Sequence, residues 1–406
     1  MTPKPFFSIV IPTKGRPQLL RDALKSALWQ DFDDFEVVVS DNYNDNQTQA
    51  VLNDFKDDSR LQCVRTDRLL NMPEHWDFAT QHANGQYVLI LTDRSVLKQG
   101  ALKTIQEEIL SSEKPVEACS WRWSIYDDNA GCESANQQVL HERDVHWISS
   151  VQLLEDFASG YSHYNKCLPR GLNSCYRGSF IKQIRDEFGS PFRPLSPDYF
   201  LAFTTLGIVR EVLFIDQPLF ISQGLDVSNG TRAFKGKGTA GGNYLKSLGE
   251  IDLYAHVPIK ASFCYNLVYE DFLAAREMIG GNLDNVPPDW PGYFMYCYSE
   301  LLSKEAWGHM SQDLLKNLFN EWERALSTFD EATQIATKEK VEALSQTSPS
   351  GQKIESNQKN NLTSLNIDRL KDFINRLVNP FRNGVKEKIV SQEKKRGLSA
   401  LELAGF

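Results

Sequence analysis

The chain has 406 residues, 41% of them hydrophobic and 24% charged, with a formal net charge of −9 at pH 7. That usage is ordinary for a globular protein of two or three domains, and it excludes disordered, collagenous and fibrous chains. The acidic balance argues against a nucleic-acid partner, which calls for a basic field. No run approaches the ~18–20 apolar residues of a membrane span.

The N-terminal MTPKPFFSIVIP has one lysine ahead of a proline-interrupted apolar run and fails as a signal peptide. Seven scattered cysteines with no CxxC pair fit neither a zinc site nor a disulfide framework, so they read as reduced thiols of a cytoplasmic protein.

The first hundred residues alternate between two hydrophobic periods. Phe6–Ile11 is a buried strand stopped by Pro12, and Leu19, Leu20, Ala23, Leu24, Ala27 and Leu28 then repeat at helical spacing. Phe35–Val39 is a second strand, followed by a helix around Thr48–Phe55. Leu61–Arg65 is a third strand, Pro73–Ala83 a third helix, and Tyr87–Leu91 the strongest strand signal in the chain. This alternation predicts βαβ units and a mainly parallel sheet.

Val116–Ser124 continues the sheet, whereas residues 125–175 are polar with little periodicity. Helices follow at Phe180–Phe188 and after Asp198, and short strands Val212–Ile215 and Leu219–Ile221 flank Pro218. Residues 224–243 are a glycine-rich basic loop, and 245–344 reads as a helical region ending in one long amphipathic helix, Ser311 to Leu344. Residues 345–361 are a linker. The tail, 362–406, resumes a helical period, with nine Lys/Arg against five Asp/Glu from residue 366 on. Such a helix lies on an anionic membrane surface, packs on the body, or pairs with a second subunit.

In parallel sheets of this kind, ligands sit beyond the carboxyl ends of the strands. Pro12-Thr13-Lys14, Asp41-Asn42 and Asp93-Arg94-Ser95 leave those ends, and all three are polar. The first strand–helix turn lacks GxGxxG, and no GxxxxGK[ST], GxSxG or HExxH occurs. Dinucleotide-dependent oxidoreductases, P-loop NTPases, serine hydrolases and zincins are thereby disfavoured. The seven histidines show no metal-ligand spacing, and Trp121 and Trp123 serve either core packing or stacking on a sugar.

SIVIPTKGRP, FEVVVSDN and ANGQYVLILTD, in that order and spacing, resemble the family 2 nucleotide-sugar glycosyltransferases of GT-A fold. The resemblance covers roughly residues 6–230. It implies a GT-A domain over 1–244, with a nucleotide-binding half (1–100) and an acceptor half (101–244). It also implies a nucleoside-diphosphate sugar donor, UDP-linked among others, and a glycan or lipid-linked saccharide acceptor.

By the same resemblance, Pro12, Thr13, Lys14 and Arg16 line the nucleotide pocket, and Asp41 accepts from the base or ribose. Asn71 and Met72 close over the base. Asp93 matches an aspartate of the DxD-type motif, with Ser95 beside it. Asp198, in the stretch Leu195-Ser196-Pro197-Asp198-Tyr199, matches the general base of inverting transfer. Arg170 and Asn173 face the acceptor, and Arg232, Lys235 and Lys237 belong to a loop that folds over the diphosphate.

The sequence departs from the family at Arg94, where a further carboxylate is usual. Either Arg94 replaces part or all of the divalent metal (Mn²⁺ or Mg²⁺) against the leaving diphosphate, or a metal is held by Asp93 alone. Two rivals stand beside the enzyme: a non-catalytic sugar-nucleotide-binding protein of the same fold, and a nucleotidyltransferase. The second needs a glycine-rich phosphate loop, of which only Gly15 is present.

Overall fold

The β-branched runs of the first hundred residues become one half of a single sheet, from its edge strand inward. In the computed structural model, which describes residues 4–43, 46–127, 132–135, 144–159, 167–224, 244–306, 311–346 and 399–406, four strands lie in the order β3-β2-β1-β4, all parallel. They are β1 (Phe7–Thr13), β2 (Phe35–Asp41), β3 (Leu61–Arg65) and β4 (Tyr87–Ile90). Helices α1 (Pro17–Leu28), α2 (Asn46–Asn53) and α3 (Met72–Thr80) connect them. Every residue of β1 is buried, as expected of a strand covered on both faces.

β1 does not stop at Pro12, as its sequence suggested; it continues to Thr13. Leu91 N–H donates to Val10 O, so even-numbered residues of β1 face the β4 side, where the ladder ends at Val10–Ile90. The N–H that proline lacks would have had no ladder partner there, so the residue is tolerated.

The second half adds β5 (Ser95–Leu97), α4 (Ala101–Ser111), β6 (Ala118–Asp127), β7 (Cys132–Ala135), β8 (Val145–Ser149) and α5 (Ser150–Ala158). It continues with β9 (Ser174–Arg177), α6 (Gly178–Phe188), α7 (Pro197–Ile208) and β10 (Glu211–Ser222). The sheet runs on from β4 as β9-β6-β10-β5, with β7 beside β6 and β8 beside β10. β9 is antiparallel to both β4 and β6, while β6 and β10 are parallel. Strands β1–β4, β6 and β10 thus share one direction, and the sheet is mostly parallel.

β7, β8 and α5 lie within 125–175, where the sequence showed little periodicity, and β9 starts at its end. Pro218 interrupts no strand either. β10 is continuous, with register shifts between Ile215 and Pro218 and between Pro218 and Phe220 that absorb the missing donor.

Beyond residue 245 the described chain is mainly helical: α8 (Cys264–Ile279), a 3₁₀ turn (Gly281–Asn285), α9 (Trp290–Ala306), α10 (Gln312–Leu326) and α11 (Glu331–Gln346). The single long helix expected over 311–344 is two helices. Asp330 caps the second, accepting from Thr333 N–H at 2.9 Å and Thr333 Oγ1 at 3.0 Å, and Phe329 packs on Phe294 and Trp290 at the break.

Tyr269, Phe272, Tyr293, Phe294 and Trp322 of these helices share one hydrophobic cluster with Phe157, Phe200, Phe203 and Ile90, so the helical region is built into the same core as the sheet. Residues 399–406 carry a short helix, α12 (Ala400–Leu403), whose Ala400 and Ala404 pack on Val96 of β5 and Ile221 of β10. The glycine-rich loop, most of the linker and most of the tail lie outside the described residues.

Candidate active site at the carboxyl ends of the strands

Parallel pairing brings the ends of β1, β2 and β4 to one edge, and Asp93 sits at its centre. Its side chain is fully buried. Oδ2 accepts from Thr13 Oγ1 at 2.9 Å and pairs with Arg16 Nε at 2.9 Å, while Oδ1 is buried with no hydrogen-bond partner among the described residues. Burial lifts the Asp93 pKa above the usual carboxylate value, against the pull of Arg16, Thr13 and Arg94. Thr13 ends β1 and Arg16 precedes α1, with Gly15 between them at a φ of +63°. Lys14 is exposed on this turn.

Arg94 donates from Nη1 to Gln223 O at 3.0 Å, and Gln223 N–H returns a bond to Arg94 O at 2.9 Å, which ties the loop after β4 to the end of β10. Gln223 Nε2 in turn reaches Asp22 Oδ2 at 3.4 Å. Burial and then the like charge of Arg16 push the Arg94 guanidinium pKa down, with Asp93 opposing. Two guanidiniums therefore crowd one buried carboxylate, and positive charge is in surplus. Ser95 is buried, and its hydroxyl pairs with Thr92 Oγ1 at 2.8 Å.

One strand over, Asp41 Oδ2 accepts from Arg65 Nε at 3.0 Å and Nη2 at 2.8 Å. Asp41 and Arg65 are register partners of β2 and β3, and their equal positions in consecutive βαβ units were the available signal for a pair the sequence reading missed. Asn42 clasps the next loop, donating to Leu70 O and accepting from Leu70 N–H, both at 2.9 Å. Asn71 caps α3 in a reciprocal capping box with Glu74, and Met72 packs against the core. Beneath this edge His75 contacts Ser40 Oγ at 2.9 Å; burial, opposed by Ser40 and aided by Lys14, lowers its pKa to about 4, so the ring is neutral.

The strands and helices after residue 100 contribute a second cluster. Asp198 lies in the first turn of α7 and keeps 18% of its side chain exposed. Burial raises its pKa, and the charge of Arg170 together with the Asp198 and Tyr199 backbone N–H groups at the helix start opposes the rise. Arg170 Nη1 is 3.9 Å from Asp198 Oδ2 and donates to Tyr199 OH at 3.1 Å. Its guanidinium lies over the Trp123 and Tyr199 rings at 4.7 and 5.0 Å. Trp121 is fully buried core.

Asn173 is buried, and its Nδ2 bridges Trp121 O and Leu168 O, both at 3.0 Å, which fixes the loop. The N–H of Ser196, just before α7, donates to Asp271 Oδ2 of α8 at 2.6 Å, a brace from the helical region that the sequence did not reveal. Arg232, Lys235 and Lys237 lie outside the described residues.

A divalent metal fits these residues poorly. Of the carboxylates at the edge, Asp93 has one oxygen engaged by Thr13 and Arg16 with Arg94 also near it, and Asp41 has one engaged by Arg65. Among the described residues, no group of three His, Cys, Asp or Glu side chains is placed to hold a metal ion. Nor is any described helix long and apolar enough to cross a membrane.

Residues 8–147 match the family described as glycosyl transferase family 2. A curated relative from Campylobacter jejuni, GalNAc(5)-diNAcBac-PP-undecaprenol beta-1,3-glucosyltransferase, is 33% identical over 106 residues, which is 26% of this chain and 34% of the relative. The match therefore spans about a third of that relative's length.

Among solved structures, S. aureus TarS 1–349 in complex with UDP has 14% identity and a TM-score of 0.45, over 83% of this chain and 90% of its own. The mannosyltransferase PcManGT from Pyrobaculum calidifontis, in complex with GDP-Man and Mn²⁺, has 14% identity and a TM-score of 0.40, over 84% and 88%.

Proposed function

We propose that the chain is an inverting glycosyltransferase that moves a sugar from a nucleoside-diphosphate sugar to a saccharide acceptor. The observation that carries this reading is the buried Asp93 at the parallel-strand edge, with one oxygen unpartnered and two guanidiniums beside it. A buried carboxylate oxygen without a donor calls for a hydroxyl or N–H from a ligand. Surplus guanidinium charge next to it suits a diphosphate.

In this reading Pro12, Thr13, Lys14, Arg16, Asp41, Asn71, Met72, Asp93 and Ser95 form the donor side, with Arg232 and Lys235 from the following loop. Arg16 and Arg94 neutralise the charge that develops on the diphosphate as the anomeric C–O bond breaks. The acceptor hydroxyl oxygen forms the new bond to the anomeric carbon from the opposite face. Its proton passes to Asp198, and the electron pair of the broken bond leaves with the diphosphate. No step is routed through a metal, because the donor set does not suit one.

The acceptor we favour is a lipid-linked saccharide, on the strength of the Campylobacter relative's undecaprenol-linked substrate. The protein would then work at the inner face of a membrane, with the basic tail as its contact or as a contact between subunits.

Thermal shift against UDP, GDP and dTDP and their sugars, with and without Mn²⁺, tests the donor side. Stabilisation by one nucleotide class, retained after chelation, is expected. No shift with any nucleotide would contradict the reading, and a shift that strictly requires Mn²⁺ would return the metal to the site.

A further inference from the structure

The loop before β9 is fixed more firmly than an ordinary acceptor loop requires. Asn173 N–H and Ser174 Oγ both donate to Arg170 O, Tyr176 OH donates to Pro169 O, and Asn173 Nδ2 ties Leu168 O to Trp121 O. Together these bonds fix the backbone of Leu168, Pro169 and Arg170, and the Arg170 side chain is 12% exposed. The side chain is held in turn by two aromatic rings and by the Tyr199 hydroxyl.

The separation of 3.9 Å to Asp198 Oδ2 has a chemical meaning. It is an ion pair too long to be a hydrogen bond, so the cation favours the carboxylate without occupying the lone pair that must receive a proton. We propose that Arg170 is a positioning residue, held over Trp123 and Tyr199 so that Asp198 stays ionised and unencumbered for proton transfer. This rests on the reading of Asp198 as the general base, and it moves Arg170 out of the acceptor-binding role that the sequence suggested.

The groups facing Asp198 are consistent with that task. Tyr176 from β9, Tyr199 from α7 itself, and Tyr244 from the segment before α8 all have pKa values raised by burial and stay neutral. Asp271 of α8, also raised well above normal by burial, bonds Ser196 N–H. Among these groups Arg170 is the cation that works against the burial of Asp198.

Full-length Arg170→Met and Arg170→Lys chains, with Asp198→Asn to assign the signal, test the proposal by carboxyl titration. ¹³C-labelled aspartate gives the Asp198 midpoint without any substrate. Removing an opposite charge at this distance is expected to raise the midpoint by about one pH unit, with Lys restoring most of the change.

Hydrolysis of UDP-glucose, UDP-N-acetylglucosamine and GDP-mannose supplies the kinetic arm. The Met variant should lose about tenfold in kcat on the acid side, recover at high pH, and keep its donor KM. An unmoved midpoint in Arg170→Met would overturn the proposal, as would a loss uniform in pH. If Asp198→Asn retains full turnover while the midpoint still moves, the base assignment fails and the Arg170–Asp198 coupling stands.

Discussion

Replacing Arg16 by methionine isolates the electrostatics around Asp93 at the strand ends. Asp93 is fully buried, so no water takes over when its partner leaves. Its Oδ2 would keep only the Thr13 hydroxyl, and Oδ1 already has no partner. Breaking a fully buried pair costs about 3–5 kcal/mol, and a charged hydrogen bond is worth about 1.5–3. Arg16 is 32% exposed, which screens the pair, so the lower range applies and a loss of about 2 kcal/mol at pH 7 is expected.

The pH dependence follows from the direction of the Asp93 shift. Its pKa is already raised in the folded state, so its ionisation costs stability, and that cost is absent below its ordinary value of 3.8. Without Arg16 the pKa rises further. The deficit of the variant should be small near pH 4 and grow as the pH rises through the wild-type midpoint. Urea denaturation of wild type, Arg16→Met, Asp93→Asn and the double variant, at several pH values, measures both quantities. A deficit independent of pH, or full additivity of the two substitutions, would refute the reasoning.

Two further substitutions probe the frame. A Cβ at Gly85 would lie 2.5 Å from Ser8 N and 2.7 Å from Phe7 C, both backbone atoms of the buried β1, so Gly85→Ala should cost about 3 kcal/mol in urea unfolding. His256 faces Glu270 Oε1 and Glu277 Oε2 with its two ring nitrogens. Burial lowers its pKa, but the two carboxylates outweigh that and the net shift is upward. The clasp therefore stabilises below the ordinary histidine value of 6.5 and fades as the pH rises through the raised one; His256→Gln should lose up to about 1 kcal/mol at pH 6 and less at pH 9, since Glu277 is largely in water.

The parallel half of the sheet was legible because apolar runs buried on both faces alternate with helical periods, and the positions of Asp41 and Asp93 followed from the strand ends. Their partners were not legible. Arg94 meets Gln223 across 129 positions, and Thr13 meets Asp93 across 80, by a folded geometry that local pattern does not encode. Arg16 and Asp93 were each read as donor ligands, although the fold first spends them on each other. After residue 125, β7, β8 and β9 are short, and periodicity over four or five residues is too brief to register. The break between α10 and α11 was encoded in Ser327-Thr328-Phe329-Asp330, but the amphipathic period on both sides masked it.

Nucleoside diphosphate release reports sugar transfer by the proposed base, Asp198. It is measured on wild type and Asp198→Asn with UDP-glucose, UDP-N-acetylglucosamine and GDP-mannose, in the presence of undecaprenol-linked saccharides. Wild type is expected to turn over one donor, and the variant to lose about 10²–10⁴-fold with donor binding unchanged. Donor binding without release by wild type, or near-full release by Asp198→Asn, would contradict this.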